Sequence, residues 1–256
     1  MEAAVRAHFD PSQLALRTEL AACVRMMHDE GLLNYNGHVS ARMEDEDRLL
    51  IHSLTTPRSE VGPEHFVVCD MAGQMVEAAP GLKAPSEVYI HSEIYKARGD
   101  VGAIAHVHSE NVVAFTLIEE APCLHLMRCD AVRWRSGVPI HPDPTRIRNE
   151  QQGRELAETL GLHRAALMRA HGAVLVAPYA RAVFADTIQF DENARANILA
   201  AQLGTAAPLT EAELDALSEG SPPDFIDHYM NKIWQYYVQR GHASGLLPEE
   251  WAEHLA

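Results

Sequence analysis

Two histidines at the end of a short apolar stretch are the residues whose type and spacing indicate chemistry most directly. The stretch runs from Val101 to His106 and His108, and its continuous apolar character predicts a buried strand. Because side chains alternate along a strand, both imidazoles are expected to leave the same face. Two neutral imidazoles side by side suit a divalent metal ion of borderline-soft preference.

A third histidine supplies the ligand that such a site still needs. His171 precedes Gly172 and a further strand-like run, and three histidines leave coordination positions open for a chelating substrate. The alternative is that these are surface or hydrogen-bonded core histidines, the common situation for an isolated histidine. The paired spacing favours the metal site, although most of the 15 histidines in the chain must have other roles.

Helices and strands must alternate along the chain to position these residues. Helices are expected at 12–30, 85–98, 149–160, from 178 onwards, after Thr210, and in a last segment that ends at Gly241. Strands are expected at 48–53, 65–70, 101–109 and on both sides of His171, whereas 31–40, rich in Gly and Asn, is expected to be a loop. Strands flanked by helices indicate a layered α/β fold with a mixed sheet.

Length, charge and composition limit the function classes. A chain of 256 residues is near the upper limit for one hydrophobic core, so one large domain is expected. The formal net charge of −15 disfavours nucleic acid and anionic membranes as partners, but not a small anionic substrate held by local arginines. No stretch approaches the ~20 apolar residues that cross a bilayer, and the N-terminus resembles no secretory signal. A cytoplasmic location is therefore expected.

The four cysteines form no CxxC pair, so reduced, buried thiols are expected in such a chain. They are Cys23, Cys69, Cys123 and Cys129.

Several motifs in order resemble those of the class II aldolase/adducin family, from about residue 14 to residue 200. Asn36-Gly37-His38-Val39-Ser40-Ala41-Arg42 resembles the family's Gly-Asn-hydrophobic-Ser-x-Arg loop. Thr56-Pro57-Arg58-Ser59 resembles its Thr-Pro-Ser-Gly turn, and Pro85-Ser86-Glu87 resembles its Ser-Ser-Glu. His106-x-His108 and His171-Gly172 resemble its metal ligands. Each motif alone is weak, but all of them together at sensible spacing are specific.

The resemblance implies a fold, a cofactor and an assembly. The expected fold is a single three-layer α/β/α domain over residues 1–256, with a central mixed, mainly antiparallel sheet and a C-terminal helical extension from about 208. One divalent metal ion per chain is implied, with Zn²⁺ as the first choice and Mn²⁺, Co²⁺ or Fe²⁺ as alternatives. Relatives also suggest a homotetramer with sites at subunit boundaries.

Glu87 is the acid/base residue that the resemblance implies. It lies 19 residues before His106, at the start of the predicted helix that precedes the metal strand, and in the family the corresponding Glu reaches the metal. The alternative is a first-turn Glu that stabilises the helix dipole.

Departures from the family's motifs concern the substrate. His38 replaces the loop Asn, Arg58 replaces the turn Ser, and Pro85 replaces the first Ser of Ser-Ser-Glu. An Arg fork pairs with a carboxylate bidentately, and a neighbouring His can donate a hydrogen bond or a proton. The site is therefore expected to bind a carboxylate or a phenolic group in place of a phosphate, unless Arg58 is only an exposed turn residue. His38 and Arg58 join Glu87 as the predicted catalytic residues.

The predicted substrate contacts also draw on the loop, the turn, the helix start and the C-terminal region. They are Asn36, Gly37, Arg58, Ser59, Ser86 and Tyr229. For Tyr229 the alternative is core packing, because the resemblance only implies that C-terminal aromatic residues can complete a neighbouring subunit's site.

The Gly37-His38-Val39-Ser40 version of the loop resembles the branch of the family that includes decarboxylases of dihydroxylated aromatic acids. This resemblance implies a metal-dependent carbon–carbon lyase, a decarboxylase of a dihydroxylated aromatic or β-keto carboxylic acid in the catabolism of aromatic compounds. One alternative is an aldolase or dehydratase that acts on a non-phosphorylated hydroxy-keto acid, since these reactions share a charge-stabilised enolate. Another is an adducin-like non-catalytic scaffold, which the three histidines and Glu87 argue against.

Overall fold

A central sheet of eight strands organises the chain. The computed structural model describes residues 9–43, 47–118, 124–220 and 223–256. The strands are β1 (His38–Arg42), β2 (Arg48–His52), β3 (Phe66–Asp70), β4 (Met75–Glu77), β5 (Ala103–Val107), β6 (Ile140–His141), β7 (Ala165–Met168) and β8 (Gly172–Ala177). Their order is β4-β3-β2-β1-β5-β8-β7-β6. Neighbouring strands are antiparallel except β6 and β7, which are parallel. The mixed, mainly antiparallel sheet is as predicted.

Helices cover both faces of the sheet, which confirms the three-layer α/β/α architecture. They are α1 (Leu14–Asp29), α2 (Val88–Ala97), α3 (Glu110–Phe115), α4 (Glu150–Leu160), α5 (Ala180–Leu203), α6 (Glu211–Glu219), α7 (Pro223–Ala243) and α8 (Ala252–Leu255). No helix in the described ranges is long and apolar enough to span a membrane.

Alternation along the strands divides the apolar core into two. On one face, Val39 and Ala105 pack with α1, α5 and α7. On the other face, Ile104 and Val174 pack with α2 and α4. Residues in β1 that point towards α2 are polar, because this face of β1 lies next to the candidate site.

Local signals in the sequence explain several helix ends. Asn149 caps α4 by accepting a hydrogen bond from the Gln152 N–H, and Gly161 ends the same helix with a positive φ. A capping box of Thr210 and Glu213 starts α6, in agreement with the helix expected after Thr210.

Three boundaries differ from the sequence-based expectation. The expected loop 31–40 contains the start of β1, which begins at His38. The polar residues of β1 face a buried polar site, whereas the polar residues of an alternating strand normally face solvent. The segment therefore does not look like a strand in the sequence. Helix α2 starts at Val88, so Glu87 is its N-cap residue. Helix α7 continues past Gly241 to Ala243, because the glycine that adopts the left-handed conformation after this helix is Gly245 and not Gly241.

The cysteines are free where they are described. Cys23 and Cys69 are buried, as expected, but Cys129 is exposed at the surface. Cys123 lies outside the described residues.

Candidate metal centre

Three neighbouring central strands bring their ends together on one side of the sheet, namely the start of β1, the end of β5 and the start of β8. The register places His38 directly opposite His106 on the neighbouring strand. On the other side of β5, His106 pairs with Val174 and Val107 pairs with Ala173. Segments far apart in the sequence therefore present their side chains at one place.

The three predicted metal ligands form a cluster. His106, His108 and His171 each offer one ring nitrogen, and these nitrogens lie within 4.8 Å of one another. His106 Nε2 and His108 Nε2 are 2.8 Å apart. Strand β5 ends at Val107, so His108 lies just beyond the strand and not within it, yet its ring stays next to that of His106.

The hydrogen bond on the far side of His106 determines which nitrogen is left for a metal. His106 Nδ1 is 3.1 Å from the carbonyl oxygen of Ala173. A carbonyl only accepts, so Nδ1 carries the proton and Nε2 keeps its lone pair. Such a bond from the second ring nitrogen is typical of metal-binding histidines.

His171 provides an observation that fits a metal ion. Both of its ring nitrogens are buried and have no hydrogen-bond partner among the described residues. Because a tetrahedral ion that holds nitrogens at about 2.0–2.1 Å keeps them about 3.4 Å apart, the spacing of the cluster suits such an ion after small side-chain movements. A bound cation would provide the partner that His171 lacks.

Close contacts with neighbouring segments constrain the backbone on either side of His171. Gly172 lies so near β5 that an added Cβ would be 2.2 Å from the Val107 carbonyl oxygen. On the other side, Ala170 adopts a positive φ of 55°, and its N–H donates to Thr116 Oγ1. These two positions turn the chain so that His171 enters the cluster.

The electrostatic surroundings keep these imidazoles neutral. Burial, followed by the neighbouring histidines, lowers the pKa of His106 well below its ordinary value. The pKa of His108 is lowered to about 4, mainly by burial and then by His171 and Arg146. Burial also lowers the pKa of His171. Neutral imidazole is the form that binds a metal.

Glu87 lies beside the cluster and does not cap its own helix. Its side chain makes no capping hydrogen bond at the start of α2. Its Oε1 accepts a hydrogen bond from the Ile147 N–H at 3.3 Å and lies 3.5 Å from His171 Nε2. Burial raises the pKa of Glu87, against the opposing effects of the Ile147 N–H and of Arg146 and Arg148. The helix-dipole interpretation therefore does not account for this side chain.

His38 faces the same site from β1. It is buried, its ring lies 4.9 Å from that of His106 between centroids, and His38, Glu87 and His106 form a second group whose donor atoms lie within 4.8 Å. The Nδ1 atom of His38 is 2.7 Å from His91 Nε2. Burial, then nearby His91 and His106, lowers the pKa of His38 well below its ordinary value.

Arg58 is a buried cation without an acidic partner in the described part of the chain. Only 5% of its surface is exposed, which excludes the interpretation as an exposed turn residue. Its guanidinium donates to the carbonyl oxygens of Thr56, at 3.1 Å, and Gly37, at 3.0 Å. Its Nε is buried and has no partner among the described residues. Arg58 lowers the pKa of His38, after burial and the nearby histidines, so the two groups lie within electrostatic range.

The other predicted substrate-binding residues differ in burial and in location. Gly37 holds Arg58 through its carbonyl, and Asn36 beside it is half-buried. Ser59 and Ser86 are exposed. Tyr229 lies on α7 and lines two separate cavities of about 330 and 370 Å³, which include none of the three histidines. Its role in a neighbouring subunit's site stays a prediction.

Four polar residues of the site were not among the predicted site residues. Ser40 and His52 lie on β1 and β2, and His91 and Tyr95 lie one turn apart on α2, all of them buried. A usable signal exists in the spacing: His38 and Ser40 share one face of a strand, and His91 and Tyr95 share one face of a helix. The expected loop at 31–40 concealed the first half of that pattern.

Comparison with known proteins identifies related chains. Residues 18–198 match the class II aldolase and adducin N-terminal domain family. A 3,4-dihydroxyphthalate decarboxylase from Rhodococcus jostii (strain RHA1) is 27% identical over 224 residues, covering 82% of this chain and 88% of the decarboxylase. A methylthioribulose-1-phosphate dehydratase from Pseudomonas savastanoi pv. phaseolicola (strain 1448A / Race 6) is 33% identical over 106 residues, covering 41% of this chain and 50% of the dehydratase.

Solved structures share the fold. An aldolase II superfamily protein from Pseudomonas syringae superposes with a TM-score of 0.80 at 20% identity, covering 95% of this chain and 98% of that one. An L-fuculose 1-phosphate aldolase from Glaciozyma antarctica PI12 gives a TM-score of 0.78 at 19% identity, covering 96% and 98% of the two chains.

Proposed function

The chain belongs to the class II aldolase and adducin family, and from that premise we propose that it is a divalent-metal-dependent carbon–carbon lyase, a decarboxylase of a dihydroxylated aromatic or β-keto carboxylic acid. The findings on its relatives support a lyase, since aldolases, dehydratases and decarboxylases are among them. The choice of decarboxylase rests on the site itself and on the relatives that match over most of the chain.

The observation that carries the proposal is the buried Arg58. A charge removed from water is costly unless an opposite charge compensates it, and no acidic side chain does so in the described ranges. Both carbonyl contacts leave further N–H groups of the fork available, since a guanidinium has five donors. A substrate carboxylate would provide the missing charge and accept from the fork bidentately.

The histidine cluster supplies the second requirement. We propose that His106, His108 and His171 hold one divalent ion, Zn²⁺ in the first instance and Mn²⁺, Co²⁺ or Fe²⁺ otherwise. Such an ion, when bound, acts as a Lewis acid that stabilises negative charge on adjacent substrate oxygens.

Glu87 is the residue proposed to manage the proton. In a decarboxylation, the electron pair of the breaking carbon–carbon bond stays on the substrate carbon while carbon dioxide leaves. A proton must then form the new carbon–hydrogen bond. Glu87 is placed to transfer this proton, because its Oε1 lies 3.5 Å from His171 Nε2, beside the cluster.

The dehydratase relatives make one alternative worth testing beside the decarboxylase. They match 41–49% of this chain, in contrast to the 82% matched by the Rhodococcus jostii decarboxylase. An adducin-like scaffold is disfavoured, because a scaffold gains nothing from burying Arg58 without an acidic partner and His171 without a hydrogen bond, among the described residues. A homotetramer and a contribution of Tyr229 to a neighbouring site are parts of the same proposal.

Substitution of Arg58 tests the substrate class. Arg58→Lys keeps the charge but loses the fork, so kcat/KM for a carboxylated substrate should fall about 10- to 100-fold, the equivalent of a charged hydrogen bond. Carbon dioxide release from a panel of dihydroxybenzoic and dihydroxyphthalic acids measures this. Arg135→Lys is the matched control, because Arg135 forms ion pairs only with Glu211 and Asp215 at the surface in the described chain.

Two results would count against the carboxylate role. One is Arg58→Lys turning over the acids as fast as the parent protein. The other is sugar phosphates serving as better substrates than every acid of the panel.

A further inference from the structure

A chain of buried hydrogen bonds runs from α2 to His38. Tyr95 Oη lies 2.8 Å from Ser40 Oγ, and Ser40 Oγ lies 2.6 Å from His91 Nδ1. His91 Nε2 lies 2.7 Å from His38 Nδ1. The first three residues are at most 1% exposed and His38 is 4% exposed, so water does not compete for these groups along most of the chain.

The direction of these bonds follows from the Tyr95 end. Burial raises the pKa of Tyr95 above its ordinary value, so the phenol keeps its proton. Ser40 Oγ is the only hydrogen-bond partner of this phenol in the described part of the chain. If Ser40 donated to Tyr95, the phenol proton would be buried without an acceptor, which costs free energy. Tyr95 therefore donates to Ser40.

The remaining bonds then have one direction each. Ser40 has a single hydroxyl proton, and its oxygen accepts from Tyr95. If it also accepted from His91 Nδ1, its own proton would be buried without an acceptor among the described residues, so that proton goes to His91 Nδ1. Because burial lowers the pKa of His91 to about 3, the ring is neutral and its one proton lies on Nε2. His91 Nε2 donates to His38 Nδ1, so the proton of His38 lies on Nε2.

His106, directly opposite on β5, has the reverse arrangement. Its Nδ1 donates to the Ala173 carbonyl, so its Nε2 carries a lone pair. Two histidines in register on adjacent strands therefore present different groups, an N–H from His38 and a lone pair from His106. A protonated ring nitrogen cannot ligate a metal ion.

We propose that Tyr95, Ser40 and His91 fix His38 as the Nε2–H tautomer, so that His38 is a hydrogen-bond donor to a substrate oxygen and neither a metal ligand nor a general base. His91 and Ser40 are positioning residues. The part that concerns the substrate rests on the proposed function, whereas the tautomer itself does not.

This assignment separates the two candidate donor sets. His38, Glu87 and His106 satisfy the distance requirement for a metal site as well as His106, His108 and His171 do. With Nε2 protonated, His38 cannot be a metal ligand, so the set of His38, Glu87 and His106 is excluded as the metal site. Glu87 is then the remaining proton-transfer group. His38 and Arg58 then form a pair of N–H donors, which suits an oxygen anion such as a carboxylate.

Neutron diffraction of the deuterium-exchanged, zinc-loaded protein tests the tautomer directly. Deuterium is expected on His38 Nε2, with His38 Nδ1 bare, and His106 Nδ1 serves as the internal reference. Deuterium on His38 Nδ1 would overturn the proposal whatever the substrate proves to be. Conversely, the expected tautomer together with a failure of every acid to react would leave the inference standing and remove the proposed function.

Substitutions separate the donor role from a structural one. His38→Ala should leave the zinc content at the parent level, while the Kd for 3,4-dihydroxyphthalate, measured by calorimetry on the zinc-loaded protein, rises about 10-fold or more. Binding of catechol, which lacks the carboxylates, should change less. Loss of zinc from His38→Ala would overturn the proposal.

Ser40→Ala tests the positioning chain against a matched control. Without the hydroxyl, the His91 tautomer is no longer fixed, so deuterium at His38 should divide between Nε2 and Nδ1 and the Kd should rise. Ser92→Ala removes another buried hydroxyl of the same region, one that has no partner among the described residues, and should change neither. Full deuterium occupancy of His38 Nε2 in Ser40→Ala would contradict the positioning role.

Discussion

At the level of single residues, the site is a set of buried polar groups that lack partners. Neither ring nitrogen of His171 has a hydrogen-bond partner, although Glu87 Oε1 lies 3.5 Å from Nε2, and Arg58 has an Nε without a hydrogen bond and no acidic partner, among the described residues. Burying such groups costs free energy unless hydrogen bonds or opposite charges compensate them. A cation at the histidines and an anion at Arg58 would compensate both, and this is the physical content of the proposed site.

Loss of one imidazole should release the metal. His108→Ala removes a proposed ligand whose Nε2 lies 2.8 Å from that of His106, so metal content measured by elemental analysis should fall from about one ion per chain to a small fraction. His125→Ala is the control, since the His125 ring is exposed and only its backbone is hydrogen-bonded in the described structure. Stoichiometric metal in a variant that lacks all three histidines would refute the assignment.

Replacement of Glu87 should separate proton transfer from metal binding. Glu87→Gln keeps the shape and the acceptor for the Ile147 N–H but cannot exchange a proton, so kcat should fall by about 10²–10⁴ with metal content unchanged. Rate measurements at saturating substrate and elemental analysis of the same sample check both halves. Full turnover with intact metal would remove Glu87 from the mechanism.

At the level of secondary-structure elements, the site depends on the adjacent ends of three central strands, β1, β5 and β8. The β1–β5 and β5–β8 registers bring residues 38, 106 and 171 together. A shift by one residue would point His38 to the opposite face. The strands therefore specify the site through their pairing as much as through their residues.

The close approach of β8 to β5 gives a test at this scale. Gly172→Ala would place a methyl group 2.2 Å from the Val107 carbonyl oxygen, so the strands must separate. Unfolding by denaturant should show a loss of about 1–3 kcal/mol or more, together with a loss of metal affinity as His171 moves. Gly99→Ala, where nothing lies within 4 Å of the added Cβ, is the control. Equal stability of the two variants would show that the approach is not a constraint.

At the level of the whole molecule, the metal site should be linked to folding. The proposed ligands come from β5, from the residue after it and from the turn before β8, so an unfolded chain cannot offer them together. A ligand that binds only the folded state stabilises it by RT ln(1 + [L]/Kd). Both apolar cores pack on these strands, so metal binding should stabilise the fold on both sides of the sheet.

Metal removal should therefore lower the stability of the entire chain. Zn²⁺ at a free concentration of about 100 times its Kd should add about 2.7 kcal/mol to the free energy of unfolding, and chelation should remove it. Thermal unfolding with and without chelator measures the difference. The His108→Ala variant should show little response, and a full response in that variant would place the stabilising ion elsewhere. The single-domain boundary, the C-terminal extension and the homotetramer stay predictions at this scale.

The sequence by itself determined the features that depend on short-range pattern. His106 and His108 were identifiable because an apolar strand positions residues two apart, and His171 because it stands before a glycine and a strand. Helix caps such as Asn149 and the Thr210–Glu213 capping box likewise depend on residues within four positions of one another. The α/β class and the mixed sheet followed from the same alternation, and the resemblance supplied the family.

Only the tertiary structure decided how residues far apart in the chain contact each other. It directed Glu87 away from its helix N-terminus towards His171, buried Arg58 without a counter-ion, and joined His38 to His91 across 53 positions of sequence. It also placed Tyr229 in cavities apart from the cluster. Such contacts arise when elements distant in the sequence pack together, as α2 does on β1, and a local sequence pattern contains no information about which polar residues that packing brings together.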